Sequence, residues 1–170
     1  MCGIIGFTGN EPAKDIIIGG LERLEYRGYD SAGLALLSND QIQVRKRTGK
    51  GEELRKLCEA EKMPAICGIG HTRWATHGGV TDVNAHPHRV GKVVLIHNGI
   101  IENYRQIVTE YGLADQLVSE TDSEVVAALL NKFYEGDPVK AIKKTVKVLS
   151  GAFALCIMFQ DIPDTIYAVS

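Results

Sequence analysis

Cys2 stands where loss of Met1 would make it the first residue. Trimming of Met1 is favoured by a small second residue and would give Cys2 a free α-amine, whose reference pKa is about 7.7–8.0. That amine can accept a proton from its own side chain near neutral pH, so one residue would supply nucleophile and base without a histidine. A thiol with a pKa near ~8.5 is already a few per cent thiolate. The plainer reading is that Cys2 is a small residue opening a buried strand.

Three further groups could serve acyl transfer. His97-Asn98-Gly99 follows the apolar run KVVLI. An Asn amide and a backbone N–H at a glycine can both donate to an oxygen that becomes negative; equally, Asn-Gly is a common tight-turn pair. The segment HTRWATHG (71–78) carries Arg73, whose planar fork matches a carboxylate, and Trp74, which could cover a ligand. Gly78 and Gly79 would let it hinge as a lid. The alternative is an exposed loop whose Trp packs into the core. Asp122 in SETDSE could hold a substrate ammonium, yet an Asp in a first helical turn is also favoured by the helix dipole, by ~0.3–1 kcal/mol.

Five histidines invite a metal reading, but their spacing fits no ligand template and Pro87, between His86 and His88, works against a helical i, i+4 pair in this segment. No CxxC occurs among the four cysteines, so a thiolate zinc site is not expected. Cys67 and Cys156 lie in apolar runs and read as buried small hydrophobes, while Cys58 reads as the edge of a helix's core face.

These residues must be positioned by one domain, since 170 residues with 45% hydrophobic composition can bury a sizeable core. The formal net charge of −2 argues against a nucleic-acid partner. No apolar run approaches the ~20 residues that cross a bilayer, and MCGIIGFTG lacks the basic and long apolar regions of a signal peptide. The expectation is a cytoplasmic protein with no membrane partner.

Residues 2–8 read as a buried strand. Pro12 opens a helix with Ile17, Leu21 and Leu24 on one face, stopped by Gly28. Residues 32–37 and 41–48 read as a hairpin around Ser38-Asn39-Asp40, followed by a helix over 52–62 and strands over 65–71 and 92–97. The long segment between those strands has little regular pattern, and such loops are commonly functional. A helix spans 103–111 and ends at Gly112. Thr121 and Glu124 form a capping-box pattern, with Val125, Leu129 and Phe133 on the apolar face behind it. Asp137-Pro138 starts a helix with Val139, Ile142, Val146 and Leu149 on one side and lysines on the solvated side. Residues 152–159 and 165–170 close the chain as a strand pair. About seven strands and five helices, with antiparallel pairing, predict an α+β domain. The stop at Ser170, against an apolar strand, suggests a fragment of a longer protein.

Taken together, MCGIIG, LERLEYRGYDSAG, GHTRWATHG, NAHPH, HNGIIENY and SETDSE, in this order, resemble the glutaminase domain of the glucosamine-6-phosphate synthase family, the isomerising glutamine–fructose-6-phosphate aminotransferases. These are class II amidotransferases with an amino-terminal nucleophile. The resemblance covers essentially residues 1–170 as one domain, and EYRGYDSAG with HTRWATHG separates this family from asparagine synthetase and the phosphoribosylpyrophosphate amidotransferase. It implies a four-layer αββα sandwich of amino-terminal-nucleophile hydrolase type with two mostly antiparallel sheets. It implies Cys2 as nucleophile, Asn98 and the Gly99 N–H as oxyanion hole, Arg73 on the α-carboxylate of L-glutamine and Asp122 on its α-ammonium. Trp74, Thr76 and His77 would line the same pocket on a loop, 73–81, that closes over glutamine, and Arg27 would order the amino terminus. No cofactor or metal is implied. A carboxy-terminal sugar isomerase region, absent from this chain, would receive the ammonia, and the full-length enzyme would be a dimer. Two rival readings are a class II amidotransferase with another acceptor and a non-catalytic glutamine-sensing domain.

Overall fold

The computed structural model describes residues 2–170, except for the side chain of Arg27. Met1 and the expected ordering role of Arg27 therefore lie outside the described residues.

The chain runs β1 (Gly3–Thr8), α1 (Ala13–Arg23), β2 (Ser31–Ser38), β3 (Gln41–Thr48), α2 (Gly51–Glu59), β4 (Cys67–Arg73), β5 (His88–Val90), β6 (Val93–Ile101), α3 (Tyr104–Tyr111), α4 (Asp122–Phe133), α5 (Pro138–Val146), β7 (Gly151–Phe159) and β8 (Tyr167–Val169). Two four-stranded sheets result, ordered β1-β4-β2-β3 and β5-β6-β7-β8, with every pairing antiparallel.

Three apolar clusters stack these elements into four layers. Ile17, Ile18 and Leu21 of α1 and Leu54 of α2 pack on Leu34 and Leu36 of the first sheet. Ile69 of β4 meets Val94 and Ile96 of β6 between the sheets. Leu95 and Leu155 of the second sheet pack beneath Ile107 of α3, Val126 and Leu129 of α4 and Ala141 of α5. Alternation along β6 explains the split: Val94 and Ile96 face the other sheet, whereas Val93 and Leu95 face the helices. Helix α1 sits close to its sheet because β4 presents Gly68 and Gly70 there. A Cβ on either would lie 2.7 Å or 2.4 Å from the Ile17 side chain.

Several expectations are sharpened. The hairpin turns at Asn39 and Asp40, both at positive φ (50° and 56°), as a two-residue turn between right-twisted strands demands. Gly112 ends α3 in the left-handed conformation. After α1 the chain makes a 3-10 turn, Glu25–Arg27, before Gly28 stops it at φ 70°. Thr121 caps α4 by accepting from the Glu124 N–H. The reciprocal half of the capping box is replaced, because the Glu124 carboxylate accepts from the Val118 and Ser119 N–H groups instead.

Other expectations are corrected. Helix α4 is buried along every residue from Asp122 to Leu130, not on one stripe, because it lies between the second sheet and the neighbouring helices. Val139 is 49% exposed instead of packed. Cys58 is fully buried beneath α1, not at an edge. Cys67 is buried as expected, whereas Cys156 is half-buried. An eighth strand, β5, lies in the segment read as irregular, and β4 and β6 continue past their expected ends to Arg73 and Ile101.

Candidate active site

Those two extensions build the site. β6 carries Asn98 and Gly99 inside a strand, paired with Ala154 and Phe153 of β7, so this Asn-Gly is not a turn. Gly99 has φ 125°, and a Cβ there would lie 2.0 Å from the Ala152 carbonyl oxygen, so only glycine fits. β4 carries Arg73, and the pairing of Gly3 with Thr72 sets Cys2 beside Arg73 and Trp74. Asp122 arrives as the first residue of α4.

Cys2, Arg73, Trp74, Thr76, His77, Asn98, Gly99 and Asp122 all line one cavity of about 360 Å³. Every candidate residue whose side chain is described is therefore gathered there. The Trp74 N–H donates to Cys2 Sγ at 3.2 Å, and the thiol faces the Trp74 carbonyl at 3.7 Å. Asn98 Nδ2 donates to the Cys2 carbonyl at 3.4 Å. Cys2 and Asn98 are thus joined at the cavity wall.

Arg73 is 4% exposed. Its guanidinium donates to the carbonyls of Gly79 at 3.1 Å, Gly78 at 3.4 Å and His77, so the loop folds back onto the strand that launches it. Among the described residues this buried cation is held by neutral carbonyls, an arrangement that leaves room for an anionic partner on its cavity side. Asp122, also 4% exposed, accepts the Ile101 N–H at 2.8 Å and the Ser123 hydroxyl at 3.4 Å. Asp122 occupies the first turn of α4 and also lines the cavity. Trp74 is 55% exposed and lies against Gly28, so it is not packed into the core. The His77 ring meets Tyr104 edge-on at 5.5 Å.

The loop is fastened by residues that the spacing of the sequence did not single out. Asn84 Nδ2 donates to the Gly79 carbonyl (3.0 Å) and to Glu120 (2.9 Å), and its Oδ1 accepts the Glu120 N–H (3.0 Å). Asp30 accepts the Ala75 N–H at 2.6 Å. Lys46 donates to the carbonyls of Val83 and Ala85, and burial lowers its pKa to about 8. NAHPH and SETDSE contain Asn84 and Glu120 and were legible as motifs, but which partners they take is a matter of tertiary contact.

Four buried imidazoles cluster at the cavity, where His86 and His97 line its wall and His71 and His88 lie behind them. His71 stacks on His86 at 4.1 Å, and His86 meets His88 at 4.7 Å. Ser123 Oγ lies 2.9 Å from both His86 Nε2 and His97 Nδ1, and Thr121 Oγ1 lies 3.1 Å from His88 Nε2. Burial pushes His71 down to about 4 and His86 and His88 well below the ordinary range; it also lowers His97, against the pull of the Asp122 charge. All four are neutral near pH 7. Among the described residues no group of three or more His, Cys, Asp or Glu side chains could hold a metal ion.

Two antiparallel sheets between helical layers, with a cysteine at the head of β1 opening on the inter-sheet end, define the amino-terminal-nucleophile type of α+β sandwich. Residues 79–169 match the glutamine amidotransferase domain family, and the chain belongs to that family. It is 48% identical to the isomerising glutamine–fructose-6-phosphate aminotransferase of Caldanaerobacter subterraneus, covering 99% of this chain and 28% of that protein. It is 49% identical to the protein of the same name from Aquifex aeolicus, over 99% of this chain and 29% of that one. The chain thus spans somewhat over a quarter of these relatives. Among solved structures, the glutamine phosphoribosylpyrophosphate amidotransferase of B. subtilis superposes with a TM-score of 0.79 at 27% identity, over 94% of this chain and 35% of that one. No helix among the described residues is long and apolar enough to cross a membrane.

Proposed function

We propose that this domain, residues 1–170, hydrolyses L-glutamine to glutamate and ammonia. The observation that carries the reading is the meeting of Cys2 Sγ, the Asn98 amide, Arg73 and Asp122 on one cavity large enough for an amino acid. Cys2 attacks the side-chain carbonyl carbon of glutamine, and its thiol proton passes to its own α-amine. Asn98 Nδ2 and the Gly99 N–H stabilise the oxyanion. The tetrahedral adduct collapses, the carbon–nitrogen bond breaks, and ammonia leaves with a proton from the amine. The γ-glutamyl thioester is then cleaved by water, which releases glutamate and restores the thiol. Arg73 holds the α-carboxylate and Asp122 the α-ammonium, so a ligand lacking either charge leaves a buried partner unpaired. Thr76 and His77 complete the wall, and Trp74 covers the ligand as the loop 73–81 closes.

In the longer protein the ammonia passes to an isomerase region of the same polypeptide and forms glucosamine 6-phosphate from fructose 6-phosphate, in a cytoplasmic dimer. The greater identity to the sugar-phosphate aminotransferases than to the phosphoribosylpyrophosphate enzyme supports that acceptor.

A glutaminase assay with intact-mass measurement of the amino terminus tests the proposal. Chains lacking Met1 should release glutamate, and Cys2→Ala and Cys2→Ser should not. Full activity with Met1 retained would overturn the assignment of the α-amine as base. Absence of glutamate release from correctly processed wild type would leave only a sensing role.

A further inference from the structure

His71 lies on β4 and Asn98 on β6, so the 2.8 Å contact between His71 Nε2 and Asn98 Oδ1 bridges the two sheets. It continues the inter-sheet core, in which Ile69 and Ile96 stand two residues earlier on the same strands. His71 is 1% exposed, stacked on His86, and does not line the cavity.

The donors can be assigned by counting. Asn98 Nδ2 faces the Cys2 carbonyl oxygen, and only the amide nitrogen can donate there. Asn98 Oδ1 must then accept from His71, which puts the single proton of the neutral ring on Nε2. Turning the amide over would set Oδ1 against the Cys2 oxygen, acceptor against acceptor. It would also present an oxygen where the reaction develops negative charge.

We propose that His71 is a positioning residue: its Nε2–H sets the rotation of the Asn98 amide so that Nδ2 faces the oxyanion formed on attack by Cys2. The inference rests on the reading of Asn98 as an oxyanion donor, and it adds a group that touches neither glutamine nor the sulfur. Loss of His71 therefore weakens transition-state stabilisation, not substrate binding.

The test is glutaminase kinetics on the intact protein with His71→Leu, His71→Gln, Asn98→Ala and the Asn98→Ala/His71→Leu double variant, alongside the rate at which iodoacetamide alkylates Cys2. Alkylation displaces iodide and forms no oxyanion, so it reports the sulfur alone. For His71→Leu, kcat should fall about 30- to 300-fold, with KM for glutamine and the alkylation rate unchanged within about threefold. His71→Gln, which retains an N–H donor, should recover about tenfold of that loss. Adding His71→Leu to Asn98→Ala should lower kcat no further. In the wild type, 15N NMR should find the His71 proton on Nε2 at neutral pH, a measurement that needs no variant to fold. The Nδ1–H tautomer, additive losses in the double variant, or parallel loss of alkylation would each overturn the proposal. If Asn98→Ala itself keeps full kcat, the oxyanion assignment falls and this inference with it. If only the His71 variants keep full kcat, this inference alone falls.

Discussion

Gly99 shows how narrowly the residue scale is constrained. Its φ of 125° is strained for any L side chain, and a Cβ would collide with the Ala152 carbonyl oxygen. Gly99→Ala should therefore destabilise by about 2 kcal/mol or more, seen as a fall of about 4–8 °C in Tm for a domain of this size. Glutaminase activity should fall as well, because the N–H beside Asn98 would be displaced. The buried histidines set a second expectation. Their folded pKa values are depressed, so stability is fully present above the unfolded value of 6.5 and is lost as pH falls from there towards about 4, where His71 itself titrates. The unfolded chain takes up protons first over that window, so each such group contributes a slope on the order of 1 kcal/mol per pH unit. Urea midpoints measured from pH 7 to pH 4.5 should fall steadily, and less steeply in His71→Gln. A flat profile would mean that these imidazoles are solvated.

At the scale of elements, the loop after β4 is ordered by a few hydrogen bonds from elements distant in sequence. Asn84 joins Gly79 to Glu120. Asn84→Ala removes these bonds, each worth about 1 kcal/mol net, and should speed amide exchange over residues 77–81 about tenfold or more. KM for glutamine should rise more than kcat falls, because Arg73 depends on the His77, Gly78 and Gly79 carbonyls for its placement. The cap of α4 carries a comparable weight. Thr121 Oγ1 serves both the Glu124 N–H and His88 Nε2, so Thr121→Ala loses a cap of ~1 kcal/mol and leaves a buried nitrogen without its partner. Thermal denaturation should show the combined loss, and Thr121→Ser should restore most of it.

For the whole molecule, the site draws on both sheets and on the first turn of α4, and ligand binding there should stabilise the domain as a unit. Cys2→Ala, which should not turn over glutamine, should unfold in one transition. Glutamine at a hundred times its Kd should add about 2.7 kcal/mol, or about 5–10 °C in Tm. Glutaramic acid, which lacks the α-ammonium, should give a much smaller shift if Asp122 holds that group. An equal shift would remove Asp122 from substrate recognition.

The residues themselves suggested a chemistry. A cysteine at position 2, an Arg and an Asp whose charges complement those of an amino acid, and an Asn-Gly after an apolar strand were visible as candidates from residue type and spacing alone. Local elements were equally legible where a local cause forms them: the positive-φ pair Asn39-Asp40, the Asp137-Pro138 helix start and the Gly112 cap. Tertiary structure decided the rest. Whether Asn98-Gly99 is a turn or a strand interior depends on pairing with Ala154 and Phe153, more than fifty residues away. Whether α4 shows one apolar stripe or is buried all round depends on what packs on its far side. His71 was one of five histidines until the stacking of two sheets brought it to the Asn98 amide. Hydrogen bonds across layers are set by the distance and orientation of whole elements, and these arise only when the three apolar clusters close together.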